Sequence, residues 1–275
     1  MRKIMLLLGL CIASFYQSQT NRFTYELQYR RDASEEYRKD LMNLDINPES
    51  VKFYDKKFAE YDSVNKSLQE AVSRYSTKTD QVLSRKLNSS KNNQYRDFFE
   101  YFVIKSDDDI KWNLSSETQE YNGYKLQKAT ADFGGRSWIA WFSNDINIKE
   151  GPYKFRGLPG LIFLVEDTDK NFIYKLINNT KLPQTYDTSN FVETHYGKPA
   201  LATTHAKFNT FIEDFYANPT KDLAEGIKKG DKPSFKNETI ESIAELNRKK
   251  GMLQKAIKNR YIYIEKDKAP IFKDK

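Results

Sequence analysis

Gly151-Pro152-Tyr153-Lys154-Phe155-Arg156-Gly157-Leu158-Pro159-Gly160-Leu161-Ile162 is the stretch on which the reading of this chain turns. Leu158-Pro159-Gly160-Leu161 has the residues of a type II turn: Pro159 pre-sets φ at about −65° at the second position, and Gly160 supplies positive φ at the third. The turn runs into Leu161-Ile162-Phe163-Leu164-Val165, a continuous apolar run of strand length. An apolar tight turn feeding a buried strand is a shaped part of a core. Gly151, Pro152, Gly157, Leu158, Pro159 and Gly160 are therefore read as a structural motif, with the Lys154 side chain expected to reach solvent. The stretch holds no paired nucleophile and base, no metal-ligand spacing and no phosphate cradle, so it marks a fold without marking a reaction.

The sequence on either side is rich in strand patterns. Phe23-Thr24-Tyr25-Glu26-Leu27-Gln28-Tyr29 alternates apolar with polar residues, as a half-buried first strand does, and 51–54 is a shorter candidate. Phe58, Tyr61, Val64, Leu68, Val72 and Tyr75 form a helical stripe that predicts one helix packed on the sheet. Residues 76–96 are polar and read as a loop or weak insertion. Strand candidates then follow at 98–104, 110–114, 121–131, 137–142, 161–166 and 171–177. Short breaks such as Asp107-Asp108-Asp109, Asn122-Gly123 and Gly134-Gly135 separate them. Such short connections point to antiparallel meanders, because parallel crossovers need a dozen or more residues.

The C-terminal third differs. Phe208, Phe211, Ile212 and Phe215 mark an amphipathic helix that Pro219 stops. Residues 226–237 read as a linker, and 239–259 as a second helix with Ser242 and Glu245 in capping-box relation. The whole formal charge of +7 is local: residues 226–275 hold 14 Lys or Arg against 7 Asp or Glu. A basic segment can meet anionic lipid, polysaccharide or nucleic acid, or form a solvated helical face. The solvated face is the simpler reading.

The N-terminus reads as a secretory signal peptide over residues 1–19: Arg2-Lys3, an apolar stretch from 4 to 13, then a small and polar exit. Leu10 is not small, so Cys11 does not fit a lipid-attachment site. Cys11 is the only cysteine, which leaves the mature chain without a disulfide framework, thiol nucleophile or cysteine-ligated zinc. No other stretch is long and apolar enough for a transmembrane helix. The expected location is periplasmic or secreted, and export makes nucleic acid an unexpected partner.

Candidate chemistry is sparse. His195 and His205 are the only histidines, and their spacing matches no zinc motif. Asp107-Asp108-Asp109 and Glu166-Asp167-Thr168-Asp169 lack the glycine and distal glutamate of a calcium loop and read as turns. No catalytic residue, metal site or cofactor is assigned. Trp138 and Trp141 cannot share one face of a regular strand. Trp138, Trp141, Tyr153 and Phe155 are therefore the candidate ligand-binding residues, one set building core and another a groove for an apolar ligand or peptide.

These residues resemble the GLPGLI family of exported bacterial proteins, whose hallmark is Gly157-Leu158-Pro159-Gly160-Leu161-Ile162. The likeness extends through Trp112, Thr118, Gly123-Tyr124, Gln127-Lys128-Ala129-Thr130, Phe133, Gly135-Arg136, Ala140-Trp141-Phe142 and Gly151-Pro152. It continues into Val165, Asp167 and Asp169. Asn147 stands where members usually carry proline, and Tyr153 where tryptophan is common. The resemblance implies export and a β-rich domain, and brings no established activity, cofactor or catalytic residue with it.

The expected fold is mainly β (α+β): a curved antiparallel sheet or half-barrel with a packed helix. A GLPGLI-type domain over 20–200 is followed by a helical, basic region over 201–275. The expected function is a non-enzymatic binding or envelope-accessory protein, whose partner is an apolar ligand, a peptide or an envelope protein. The rivals are a hydrolase using carboxylates brought together by folding and a purely structural interaction domain.

Overall fold

The computed structural model describes residues 19–69, 74–232, 234, 235, 238–240 and 242–273. The leader reading falls on residues 1–18 and so lies outside them, as does Val72 of the helical stripe. Eleven strands carry the architecture: β1 (Thr20–Tyr29), β2 (Arg38–Ile46), β3 (Ser50–Asp55), β4 (Leu83–Lys86), β5 (Lys91–Phe98), β6 (Glu100–Asp107), β7 (Asn113–Tyr121), β8 (Tyr124–Phe133), β9 (Arg136–Ser143), β10 (Leu161–Asp167) and β11 (Phe172–Leu182). The pairs β12 (Thr194–His195) with β13 (Lys198–Pro199) and β15 (Ser234–Phe235) with β16 (Glu238–Thr239) are separate short hairpins. With β14 (Leu201–Thr203), the eleven strands make one open sheet of twelve in the order β14-β6-β5-β4-β3-β2-β1-β11-β10-β9-β8-β7. All its pairs are antiparallel except β14 with β6.

The sheet is strongly curled. Eight strand spacings separate β5 from β8, about 38 Å in a flat sheet at about 4.8 Å each. Yet the Tyr153 hydroxyl meets Gln94 of β5, and Phe155 packs on Phe133 of β8 with ring centroids 6.1 Å apart. The Tyr153 and Phe155 rings themselves are only 6.3 Å apart. The sheet therefore wraps round the connection between β9 and β10, which fills the inner face. The alternation that predicted β1 places Phe23, Tyr25, Leu27 and Tyr29 on that face. The turns are those expected: Asn122-Gly123 (φ 51° and 80°) and Gly134-Gly135 (φ 64° and 72°) join β7 to β8 and β8 to β9 in the positive-φ geometry that suits strand twist.

Several expectations need correction. Residues 76–96 are not a loop: they contain β4 and most of β5, in which Ser84, Arg85, Asn92, Gln94 and Arg96 are buried with polar partners. The run 98–104 is broken by a hairpin turn at Phe99 (φ 59°), and β2 carried no pattern that was recognised. Helix α1 (Lys56–Leu68) stops at Gln69, in left-handed conformation, and it buries Phe58, Ala59, Asp62 and Asn65. Val64 and Leu68 of the expected stripe face outward, at 47% and 55% exposure. Helix α2 (His205–Ala217) ends before Pro219 as expected. Helix α3 (Lys221–Lys228) enters the supposed linker, and α4 (Ile243–Lys258) starts at Ser242, which accepts from the Glu245 N–H at 3.2 Å.

Gly160 is not in a type II turn, because its φ is not positive. It is required for close approach: a Cβ there would lie 1.8 Å from the Ser143 carbonyl oxygen at the end of β9. Gly157 shows the opposite constraint, with φ 91° and open space around it. Gly160→Ala should therefore cost about 3 kcal/mol or more through a backbone clash. Gly157→Ala should cost about 1–2 kcal/mol through conformation alone, and Gly157→Asn still less. Urea denaturation of the three variants checks the order, and equal losses at the two positions would contradict it.

Candidate functional site

The interior holds a closed ring of four charges. The Lys154 ammonium, with no solvent exposure, lies 2.7 Å from Glu265 Oε1 and 2.9 Å from Asp108 Oδ2. Lys268 completes the ring, 2.5 Å from Glu265 Oε2 and 3.1 Å from Asp108 Oδ1. Lys154 comes from the β9–β10 connection, Asp108 from the β6–β7 loop, and Glu265 and Lys268 from the segment after α4. The expectation of a solvated Lys154 is thus corrected. Its cationic head is anchored inside by two carboxylates, which buried charge requires.

Neighbours add hydrogen bonds to Glu265 Oε1 and Asp108 Oδ2. The Tyr153 hydroxyl donates to Glu265 Oε1 and accepts from Gln94 Nε2, while Ser106 and Asn92 donate to Asp108. Burial pushes the Glu265 carboxyl up, but Lys154 and Lys268 more than offset this and hold it below its ordinary range. Asp108 is likewise held low: burial pushes it up, and Lys154, Ser106 and Lys268 together more than offset this. The Tyr153 phenol is pushed well up, by burial first and then by Glu265.

Further buried pairs fasten the same parts. Arg85 of β4 pairs with Glu150, and Arg96 of β5 donates to Asp80 at 2.8 Å. Asp80 in turn accepts from the Ile264 N–H at 3.0 Å. Arg136 of β9 donates to Asp167 at 2.7 Å and to the Ile264 carbonyl at 2.7 Å. At the β8–β9 turn, a Cβ on Gly134 would fall 2.9 Å from Glu265 Cγ, so glycine there makes room for the strap.

The four aromatic candidates are divided by this arrangement. Trp138, Tyr153 and Phe155 are core residues at 1% exposure or less, with the Trp138 and Phe155 ring centroids 4.5 Å apart. They line no open groove, because the curled sheet has closed over them. Trp141 is on the opposite face of β9, half-buried, across from Lys128 and Leu164. The motif residues Gly151, Pro152 and Leu158 are buried as well. His195 stacks on Tyr101 at 5.3 Å, while burial and then Arg96 hold His205 to about 4. Among the described residues no group of three or more His, Cys, Asp or Glu is placed to hold a metal ion.

Open space lies on the outer face. A trough of about 610 Å³ runs between α1 and the outer side of β11, β1 and β2. Its floor is a row of neutral side chains: Thr24 faces Asn43 on one neighbour and Asn178 on the other, and Thr24 Oγ1 donates to Asn43 Oδ1 at 3.2 Å. Ala59 and Ser63 of α1 form the wall, and Leu41 and Ile177 add apolar surface. At one end the Arg22 guanidinium lies 4.2 Å from the centroid of Tyr186 and grips both Asp45 oxygens at 2.7 Å. A smaller cleft of about 170 Å³ adjoins the trough, sharing Leu41, Lys56 and Glu60 and adding Asp40. Asp40 accepts from the Tyr29 hydroxyl at 2.6 Å, and the buried Asp55 accepts from Tyr75 at 3.0 Å. Burial pushes Asp55 up to about 7, against hydrogen bonds from Thr77 and Tyr75.

Sequence reading missed Glu265, Lys268, Asp108, Arg85 and Glu150. The one available signal was Tyr261-Ile262-Tyr263-Ile264-Glu265, an apolar segment inside a basic tail.

Residues 135–164 match the family described as "Protein of unknown function (Porph_ging)". No curated protein matches the chain. Among solved structures it is similar to PNGF-II in a C2 space group, at 15% identity and a TM-score of 0.50, over 70% of this chain and 32% of that one. PNGF-II in a P21 space group gives 14% identity and 0.49 over the same shares. The chain thus spans about a third of the length of the PNGF-II chains, and the likeness is one of fold.

Lys154→Met should cost about 3–5 kcal/mol, because it strands two buried carboxylates on one remaining lysine. Lys128→Met, which removes the outer-face pair with Glu117, should cost about 1 kcal/mol or less. Similar losses in urea melts would refute a structural ion ring. The pH profile should show two slopes. Asp108 and Glu265 have native pKa values below their unfolded ones, so their contribution is lost as pH falls below about 4.5. Asp55 is the reverse: its contribution is full below about pH 4 and lost as pH rises to about 7. Asp55→Asn should abolish this second slope and gain up to about 3–4 kcal/mol on the parent between pH 4 and 8. Thermal melts at both pH values decide it, and parallel curves would contradict the assignment.

Proposed function

We propose that the chain is an exported, non-enzymatic binding module of the GLPGLI type, in which the hallmark stretch closes the core and the outer trough takes the ligand. The observation that carries this reading is the contrast between two polar regions. In the hallmark stretch the charged and hydroxyl groups are buried and engage one another. In the trough, Thr24, Asn43, Asn178 and Thr180 stand beside an open volume of about 610 Å³ that Arg22, Lys56 and Glu60 also line, within the range usual for ligand sites. Rows of Thr and Asn flanked by Leu41 and Ile177 suit an extended peptide, which presents amides and side chains alternately. A segment of an envelope protein is such a ligand. Export follows from the charged and apolar leader, and a mature chain starting near residue 20 would begin where β1 begins.

A carboxylate hydrolase is the second reading, favoured by one observation. Asp40 borders the smaller cleft, and the buried Asp55, within electrostatic reach of Asp40, is pushed up to about 7, as a general acid requires. An array of extended peptides, run beside peptidase and glycosidase assays, separates the two. Peptide binding lost in Ser63→Trp, which blocks the trough from the exposed side of α1, is the expected result, with no turnover. Turnover abolished by Asp40→Asn would establish the hydrolase instead. Intact mass of the exported protein checks the leader, and retention of Met1 would refute export by cleavage.

A further inference from the structure

The tip of the β5–β6 hairpin carries Phe99 at 64% exposure with φ 59°. A large side chain in this conformation is strained, and strain held at an exposed aromatic asks for a reason. Phe99 stacks edge-on against Phe98 and Phe215, at 4.9 and 4.6 Å between centroids. Phe99 and Phe215, together with Phe211, which is 41% exposed, and Leu253 of α4, border an open groove of about 620 Å³ between the hairpin and the C-terminal helices. The apolar surface continues on α4 at Met252, 63% exposed.

Cations outnumber acids on the helix beside this patch. Helix α4 carries Arg248, Lys249, Lys250, Lys255 and Lys258 against the single acid Glu245, and α3 ends in the exposed pair Lys228 and Lys229. Asp214 and Asp222 border the groove with Lys221 and leave its rim slightly acidic, so the cationic excess comes from α4 and the end of α3. Arg248, Met252 and Lys255 follow at spacings of four and three and share the exposed side of α4.

We propose that this end of the molecule is a docking surface for an anionic lipid bilayer, with the phenylalanines and Met252 entering the interface and the lysines facing the headgroups. The choice of lipid over a protein partner rests on the cations. Lysine is depleted in protein interfaces, where arginine is enriched, and four of the five α4 cations are lysine. A long stem with a solvated head above apolar residues suits a headgroup layer. The surface is distinct from the trough, so either assignment can fail alone.

The test is co-sedimentation of the full mature chain with phosphatidylcholine vesicles, with and without phosphatidylglycerol. Binding to the mixed vesicles should be at least about tenfold tighter than to neutral ones and should weaken as salt shortens the screening length. Arg248→Glu with Lys255→Glu should weaken it by at least about tenfold. Phe99→Asn is the sharper probe: asparagine tolerates positive φ, so the thermal midpoint should hold or rise while vesicle binding drops several-fold. A folded wild-type chain that ignores anionic vesicles would overturn the proposal. Binding indifferent to lipid charge, or unchanged in Phe99→Asn, would do the same.

Discussion

An ammonium group with no solvent exposure is stable only if carboxylates surround it, and Lys154 draws those carboxylates from segments far apart in sequence. Desolvating four charged groups costs several kcal/mol each, and their mutual attraction offsets that only where every lone pair and proton is engaged. In the ring of Lys154, Glu265, Lys268 and Asp108, hydrogen bonds from Tyr153, Ser106 and Asn92 add to the ion pairs, and Glu265 Oε2 has its ion pair with the partly exposed Lys268. Removing any member leaves the others uncompensated. The ring therefore acts less as a source of stability than as a constraint, admitting one placement of the β9–β10 connection, the β6–β7 loop and the strap after α4.

The shape of the molecule follows from that placement. Once Tyr153 and Phe155 occupy the inner face, the sheet curls round them, and β4 and β5 can bring polar residues inward because Glu150, Asp80 and Tyr153 receive them. An interior filled in this way has no room for a ligand at the hallmark. The two surfaces proposed for recognition, the outer trough beneath α1 and the helical end, lie elsewhere and differ in chemistry. The similarity to PNGF-II concerns this sheet architecture.

The legible parts of the sequence were those governed by short-range rules. Alternation in β1, the paired positive-φ turns at Asn122-Gly123 and Gly134-Gly135, and the Ser242 cap each depend on residues a few positions apart. The polar run 76–96 was misread because polarity ordinarily signals solvent, whereas Arg85, Asn92 and Gln94 are buried against Glu150, Asp108 and Tyr153 from other segments, and Arg96 against Asp80 within the run itself. Gly160 was rightly singled out for the wrong reason: proximity to the Ser143 carbonyl is a tertiary fact. In α1 the apolar stripe was real in spacing, yet the helix buries Asp62 and Asn65 and leaves Val64 outside. The trough was invisible, since Thr and Asn on the outer face of strands look like any solvated row until the helix beside them is placed.

Glu265, in the strap after α4, locks the hallmark connection inside the sheet, and hydrogen–deuterium exchange across 144–162 tests this most directly. In the parent chain, amides such as those of Gly157, Leu161 and Ile162, bonded to the carbonyls of Lys149, Ile146 and Glu150, should exchange near the rate of global unfolding. In Glu265→Gln, folded as judged by exchange in β1 and β2, their protection should fall by at least about tenfold through local opening. Unchanged protection in that variant would contradict the claim.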